Sequence, residues 1–162
     1  MATATRDYRN LDPFLNFRFK VMVEDIGSAG FSDVTIPDST VEAVEYREGF
    51  DINTVRMLSG RNNSGNITLK RGITTNYDIW NWFQSVEKDG SLNHRKGMSI
   101  MLIGEEGSGE TVSSTILAQW DITDAWPVKY EPSELSALGN DIMIETLEIT
   151  HEGIKRKNDI SL

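Results

Sequence analysis

Residues 16–24 alternate with a period of two: Phe17, Phe19, Val21 and Val23 fall on one side, and Arg18, Lys20, Met22 and Glu24 on the other. Successive side chains of an extended chain point to opposite faces, so this pattern demands a strand with one face buried. It returns at residues 66–71, with Ile67 and Leu69 inward and Thr68 and Lys70 outward, before Gly72 ends the segment. It returns again where Ile116, Ala118, Trp120 and Ile122 alternate with Leu117, Gln119 and Asp121. Residues 98–103 are apolar on both faces, as in a strand covered on both sides, and residues 142–151 read as a last long strand containing Glu145 and Glu148.

The connections fit the same plan. Residues 25–30 supply turn residues, and residues 29–36 read as the returning strand of a hairpin that Pro37 interrupts. Residues 104–110 form a Gly- and Glu-rich turn, and Pro127 among Trp126, Val128 and Tyr130 confines that piece to a sheet edge or a bulge. One stretch has a helical period instead: Tyr77, Ile79, Trp80, Trp82, Phe83 and Val86 place an amphipathic helix at residues 76–88, acting as a lid on a sheet, with a capping-box-like start at Thr75 and Asp78. About seven to nine strands, one helix and no βαβ alternation predict a mainly β chain, an antiparallel β-sandwich or barrel with one flanking α-helix.

Residues 41–63 break the pattern. Val41, Val44, Tyr46, Val55, Met57 and Leu58 are interspersed with Glu42, Glu45, Arg47, Glu48, Asp51, Arg56 and Arg61, too many charges for a core strand. Two readings are open: a solvated hairpin, or an extended arm that pairs with a neighbouring subunit and uses mixed charge to set register.

Length and composition bound the rest. A chain of 162 residues fits one domain spanning residues 1–162, with residues 1–11 and 156–162 as tails and a loose end expected from Lys155 onward. A chain of this size buries roughly 70% of its unfolded surface. No apolar run approaches the ~20 residues of a membrane span, so no membrane anchor is expected. The N-terminus has no secretory pattern, which points to synthesis in the cytoplasm. With no cysteine and two histidines far apart in sequence, few transition-metal ligands exist, and no cofactor is expected. The net charge of −9 argues against a duplex-DNA binder, which needs clustered Lys and Arg. It is compatible with solubility alone, or with acidic surface along a conduit that a polyanion passes without sticking.

Catalytic signatures are weak. Gly60 and Gly65 have the spacing of a phosphate loop, but Asn66 stands where a lysine is required and a strand follows where a helix should. Gly104, Gly107 and Gly109 are in the wrong order for a dinucleotide fingerprint. Glu105, Glu106 and Glu110 match no calcium loop, and neither His94 nor His151 accompanies a nucleophile motif. Trp80, Trp82, Trp120 and Trp126 raise a carbohydrate-binding β-sandwich as an alternative, against core packing. The chain therefore reads as a non-enzyme.

Six stretches then come together in order: Asp12-Pro13-Phe14-Leu15-Asn16-Phe17, Gly30-Phe31-Ser32-Asp33-Val34, Glu45-Tyr46-Arg47-Glu48-Gly49, Gly65-Asn66-Ile67-Thr68-Leu69-Lys70-Arg71-Gly72, Asp124-Ala125-Trp126-Pro127, and Glu145-Thr146-Leu147-Glu148-Ile149-Thr150-His151-Glu152-Gly153. Across residues 12–155 the chain resembles the tail tube protein family of contractile phages and phage-like contractile injection systems. The resemblance implies a subunit that assembles six to a ring, with strands of six neighbours closing one β-barrel around a lumen. It implies stacking of rings into the hollow inner tube, a conduit for DNA or an effector held without specific binding. The partners implied are the chain itself, a sheath whose contraction drives the tube, baseplate or initiator proteins and a tail terminator, all within a phage tail or injection particle. Residues 46–60 map to the loop that contacts adjacent subunits and the next ring. Tyr46, Arg47, Glu48, Asp51, Asn53, Arg56 and Leu58 are the interface residues expected there. A ring protein of type VI secretion is the nearest alternative.

Overall fold

A computed structural model describes residues 18–47, 49, 56–106 and 113–157. The elements run β1 (Phe19–Val23), β2 (Gly27–Ala29), β3 (Asp33–Thr35), β4 (Ser39–Tyr46), β5 (Arg56–Ser64), β6 (Ile67–Gly72), α1 (Asp78–Asp89), β7 (Lys96–Glu106), β8 (Ser113–Pro132), β9 (Ile144–Thr150) and β10 (Gly153–Lys157). Every strand pair is antiparallel. The strand order β2-β1-β7-β8-β9-β6-β3, with β10 also on β8, folds over into two sheets that share β8. The first sheet is β2-β1-β7-β8-β10 and the second is β8-β9-β6-β3. Among the described residues, strands β4 and β5 pair only with each other.

The shared strand is twenty residues long. Its N-terminal part pairs with β7 on one side and β10 on the other, and its C-terminal part pairs with β9. The change of sheet occurs at Asp124, whose φ of 50° is left-handed, a conformation Asp tolerates better than most side chains. Beyond it, the register with β9 shifts between Pro127 and Lys129. Pro127 has no N–H to give a ladder, and the bulge expected from it accommodates that defect while its ring is fully buried.

The inward faces meet in one core. Val21, Val23, Met98, Ile100 and Ile122 come from the first sheet, Ile67, Leu69, Leu147 and Ile149 from the second, and Ile79 and Trp82 from α1. The row of cross-strand pairs Ile67–Ile149, Leu69–Leu147 and Arg71–Glu145 runs along the second sheet's buried face, so an ion pair continues the apolar stripe. Arg71 and Glu145 are each only 6% exposed. Arg71 Nε donates to Glu145 Oε1, its Nη2 donates to the Asn76 carbonyl at 3.0 Å, and Tyr130 donates its hydroxyl proton to Glu145 Oε2 at 2.6 Å. Trp80 packs edge-on against Tyr130 at 4.8 Å, so the network anchors both the loop into α1 and the helix itself.

The fold differs from expectation at five places. The returning strand expected at residues 29–36 is two short strands: β2 pairs β1, and β3 crosses to pair β6 in the other sheet. Helix α1 begins at Asp78, and no Thr75–Asp78 capping box forms, because Asn76 Oδ1 instead takes the Asp78 N–H at 2.9 Å. Gly104, Glu105 and Glu106, expected in a turn, extend β7, where the backbone continues pairing with β8. Lys155, Arg156 and Lys157, expected as a loose tail, are the end of β10, held by pairing to Asp121, Trp120 and Gln119. With β2 and β3 separate and β10 added, the described residues contain ten strands, more than the seven to nine expected.

Leu147→Ala removes a buried side chain between both sheets and is expected to cost about 2–5 kcal/mol, read as a lower midpoint in urea at unchanged slope. Burial first, then the bond to Glu145 and its charge, raise the Tyr130 pKa from 10.0 to about 12. A raised pKa means that this contribution to stability is complete below the unfolded value near 10 and is lost as pH climbs through about 12. Alkaline unfolding followed by tyrosinate absorbance should show that loss, and Glu145→Gln should move Tyr130 ionisation to lower pH.

Candidate assembly interface

The arm of β4 and β5 leaves the body between Ile36 and Ile67 and is exposed at every residue. Its register pairs Val44 with Leu58, Glu45 with Met57 and Tyr46 with Arg56, and slips between Val41 and Ala43. Alternation therefore puts Val44, Tyr46, Arg56 and Leu58 on one face and Glu45 and Met57 on the other. Val44 is 48% exposed, Tyr46 46%, Leu58 52% and Met57 61%, so both faces show apolar surface to solvent. A two-stranded hairpin without a packed face is only marginally stable, and contiguous exposed apolar surface marks an interaction site.

Local sequence shapes the arm. A Cβ at Gly60 would lie 3.0 Å from Val44 Cγ2 and 3.1 Å from Glu42 Cβ, so the missing side chain lets Val44 lie across the strand. At the root, Gly65 sits against Pro37, where a side chain's Cβ would come within 3.1 Å of the proline ring. His151 Nε2 donates to the Gly65 carbonyl at 3.1 Å, fixing the arm's exit to the β9–β10 turn. A cleft of about 470 Å³, lined by Thr40, Asn62, Asn63, His151 and Ile154 among others, separates arm from body there.

Of the expected interface residues, the structure brings Tyr46 and Arg56 together as a cross-strand pair, puts Leu58 on the same face, and leaves Arg47 exposed just beyond β4. Glu48, Asp51 and Asn53 lie outside the described residues. Val44, on the face of Tyr46 and Leu58, and Met57, on the opposite face, add exposed apolar surface that the expected interface residues do not include; their alternation with Glu45 and Arg56 is the signal that marks them. Residues 1–11 also lie outside the described residues.

The other chemical candidates disperse. Among the described residues no group of three His, Cys, Asp or Glu could hold a metal ion. Gly60 is inside β5 and Gly104 inside β7. Trp82 is buried and donates Nε1 to the His94 carbonyl at 2.8 Å, Trp80 covers Tyr130, Trp126 lies 4.4 Å under the Arg95 guanidinium, and Trp120 lies 5.9 Å from that of Arg156. The four indoles therefore share no platform for a sugar.

With the fold and arm described, comparison with known proteins is decisive at the level of family: the T4-like virus tail tube protein gp19 family matches residues 15–155. The chain belongs to that tail tube family. A chain of an extracellular contractile injection system, from the PVC sheath–tube complex in its extended state, is 23% identical with a TM-score of 0.76, covering 96% of this chain and 99% of that one. A chain from the anti-feeding prophage tube-terminating cap is 20% identical with a TM-score of 0.75, covering 90% and 91%. Hcp1 from Flavobacterium johnsoniae is 15% identical with a TM-score of 0.50, covering 87% and 95%. A search of curated protein sequences gives no match. The tail tube chain is thus a structural, β-rich member of the phage-tail and contractile-injection class.

Gly60→Val should push Val44 aside and loosen the arm without touching the core. Hydrogen exchange across β4 and β5 should quicken while the melting temperature stays within about 2 °C of the parent.

Proposed function

We propose that this tail tube subunit closes into hexameric rings that stack as the inner tube of a contractile tail or injection particle. The observation that carries the reading is the pair of open edges on one sheet. Among the described residues, β2 and β10 end the first sheet on opposite sides, whereas the second sheet ends in β3 on one side and runs into the shared β8 on the other. A sheet open on both sides can be continued by copies of itself, and a rotation that closes removes every exposed edge. Six copies of four or five strands make about 24–30 strands, enclosing a channel on the order of 45–65 Å between backbones at ~4.8 Å per strand with the usual tilt.

Rings stacked face to face make a heterologous contact that does not close, and so produce a filament. The arm suits that contact: it shows apolar surface on both faces, carries Arg47, Arg56 and Glu45, and its strands β4 and β5 are exposed throughout. A baseplate to start the tube, a terminator to stop it and a sheath to drive it are partners in keeping with the sheath–tube, baseplate and cap complexes in which similar chains occur. The tube's task is mechanical and non-enzymatic, and its cargo, DNA or an effector, passes along the lumen. Synthesis in the bacterial cytoplasm precedes incorporation into the particle. A type VI ring protein shares the fold, but the Hcp match at a TM-score of 0.50 is weaker than the 0.76 of the PVC chain.

Electron microscopy of the purified chain, alone and with baseplate partners, is expected to show rings and tubes; neither under any condition would overturn the reading. Arg47→Glu and Leu58→Asp should shorten or abolish tubes while circular dichroism stays unchanged, and normal tube lengths in both would remove the arm from stacking.

A further inference from the structure

The outward face of the first sheet has a chemistry that the net charge of −9 does not foretell. Cross-strand register places Lys20, Met101, Gln119 and Lys157 in one row across β1, β7, β8 and β10. The next row holds Met22, Ser99, Asp121 and Lys155 on the same strands. The neighbours that alternate with them, Val21, Ile100 and Ile122, point into the core. The two rows thus carry three ammonium groups and one carboxylate; Lys20, Lys155, Lys157 and Met22 are exposed, while Met101 is buried among its neighbours. The carboxylate is already engaged: Asp121 Oδ1 accepts from Gln119 Nε2 at 2.6 Å and from Ser99 Oγ at 2.9 Å. Those bonds, the one from Gln119 first, together with the charge of Lys157, hold it below the usual carboxylate range against a desolvation effect that opposes them.

Geometry decides which way this face looks in a closed ring. The other face of the sheet carries the whole body, including the second sheet and α1. Six such bodies do not fit inside a barrel made of their own strands, so the body must lie outside and the Lys–Met face inside. We infer that this face lines the channel and makes it cationic among the described residues, suited to a protein cargo with an acidic surface; the inference rests on the tube reading above. Repeated in every ring, these lysines would hold a continuous nucleic acid backbone at many phosphates at once through counterion release and hinder its passage. Sparse lysines among thioether, amide and hydroxyl groups offer an acidic protein weak, salt-screened and replaceable contacts.

The test separates this inference from assembly itself. The chain has no cysteine, so Met22→Cys introduces a unique thiol on the inferred inner face. In unassembled subunits it should react both with N-ethylmaleimide and with a maleimide on a polyethylene glycol too bulky for the channel. In tubes it should keep the first reaction and lose the second. Continued reaction with the bulky reagent would place the face outside, and loss of both would bury it in an interface; either result overturns the inference while leaving tubes intact. Absence of tubes by microscopy would instead sink the tube reading.

The charge is tested by assembling tubes with fluorescent poly-glutamate, poly-lysine or a single-stranded oligonucleotide and sedimenting them. Poly-glutamate should be retained at low salt, released as salt rises, and lost when Lys20→Gln, Lys155→Gln and Lys157→Gln are combined. Retention of poly-lysine instead, or retention of poly-glutamate by the triple variant, would refute a cationic channel. An oligonucleotide that sediments with tubes but exchanges freely during passage would overturn the acidic-protein assignment in favour of nucleic acid.

Discussion

One strand serves two sheets, and the rest of the molecule depends on how it bends. β8 runs for twenty residues and turns at Asp124 through a left-handed backbone conformation. Before that bend its inward side chains, Ala118 and Ile122, complete the first sheet's buried face; after it Pro127 is buried against the second. A straight β8 would leave one sheet's apolar face in water. The bend brings the two faces together into one cluster, and α1 covers the part of the second sheet that the first does not reach.

That division gives the two ends of the core different chemistry. Where sheet packs on sheet, the core is aliphatic. Under α1 the same cross-strand row ends in Arg71 and Glu145, with Tyr130 as a third member. Burying a charged pair is costly unless each remaining hydrogen-bonding position is used, and here the Asn76 carbonyl and the Tyr130 hydroxyl use them. The network therefore ties the helix entrance to two strands in a single arrangement that an apolar contact would specify less sharply.

Period-two alternation is enough to place Phe19, Val21, Val23, Ile67 and Leu69 inward, because burial of one sheet face is a local property of the chain. The same period, carried one step further, puts Arg71 inward after Leu69, but a charge there reads as surface until its partner is known, and Glu145 lies on another strand. β10 is illegible for a related reason: Lys155, Arg156 and Lys157 have little strand propensity of their own and are extended because β8 offers an unpaired edge. Thr75 competes with Asn76 to start the helix, and the side chain nearer the first free N–H prevails. For the arm, mixed charge identifies the segment, while the pairing of Val44 with Leu58 and Tyr46 with Arg56 becomes definite only with the hairpin register. Family membership is legible from the order of six stretches, none of them sufficient alone.

Net charge is a sum over the chain, whereas a partner meets one face of it. The carboxylates include several on the arm, on the second sheet's outward side, where Glu131 and Glu148 surround Lys129, and in the 132–141 loop. Lys20, Lys155 and Lys157 are brought onto one sheet face from opposite ends of the described chain, by pairing that composition does not encode. An acidic exterior and a cationic inner face are therefore compatible within a single subunit. Ring closure would amplify the difference, since six copies repeat each inward lysine around a common axis while the acidic surfaces are spread over a wider circumference.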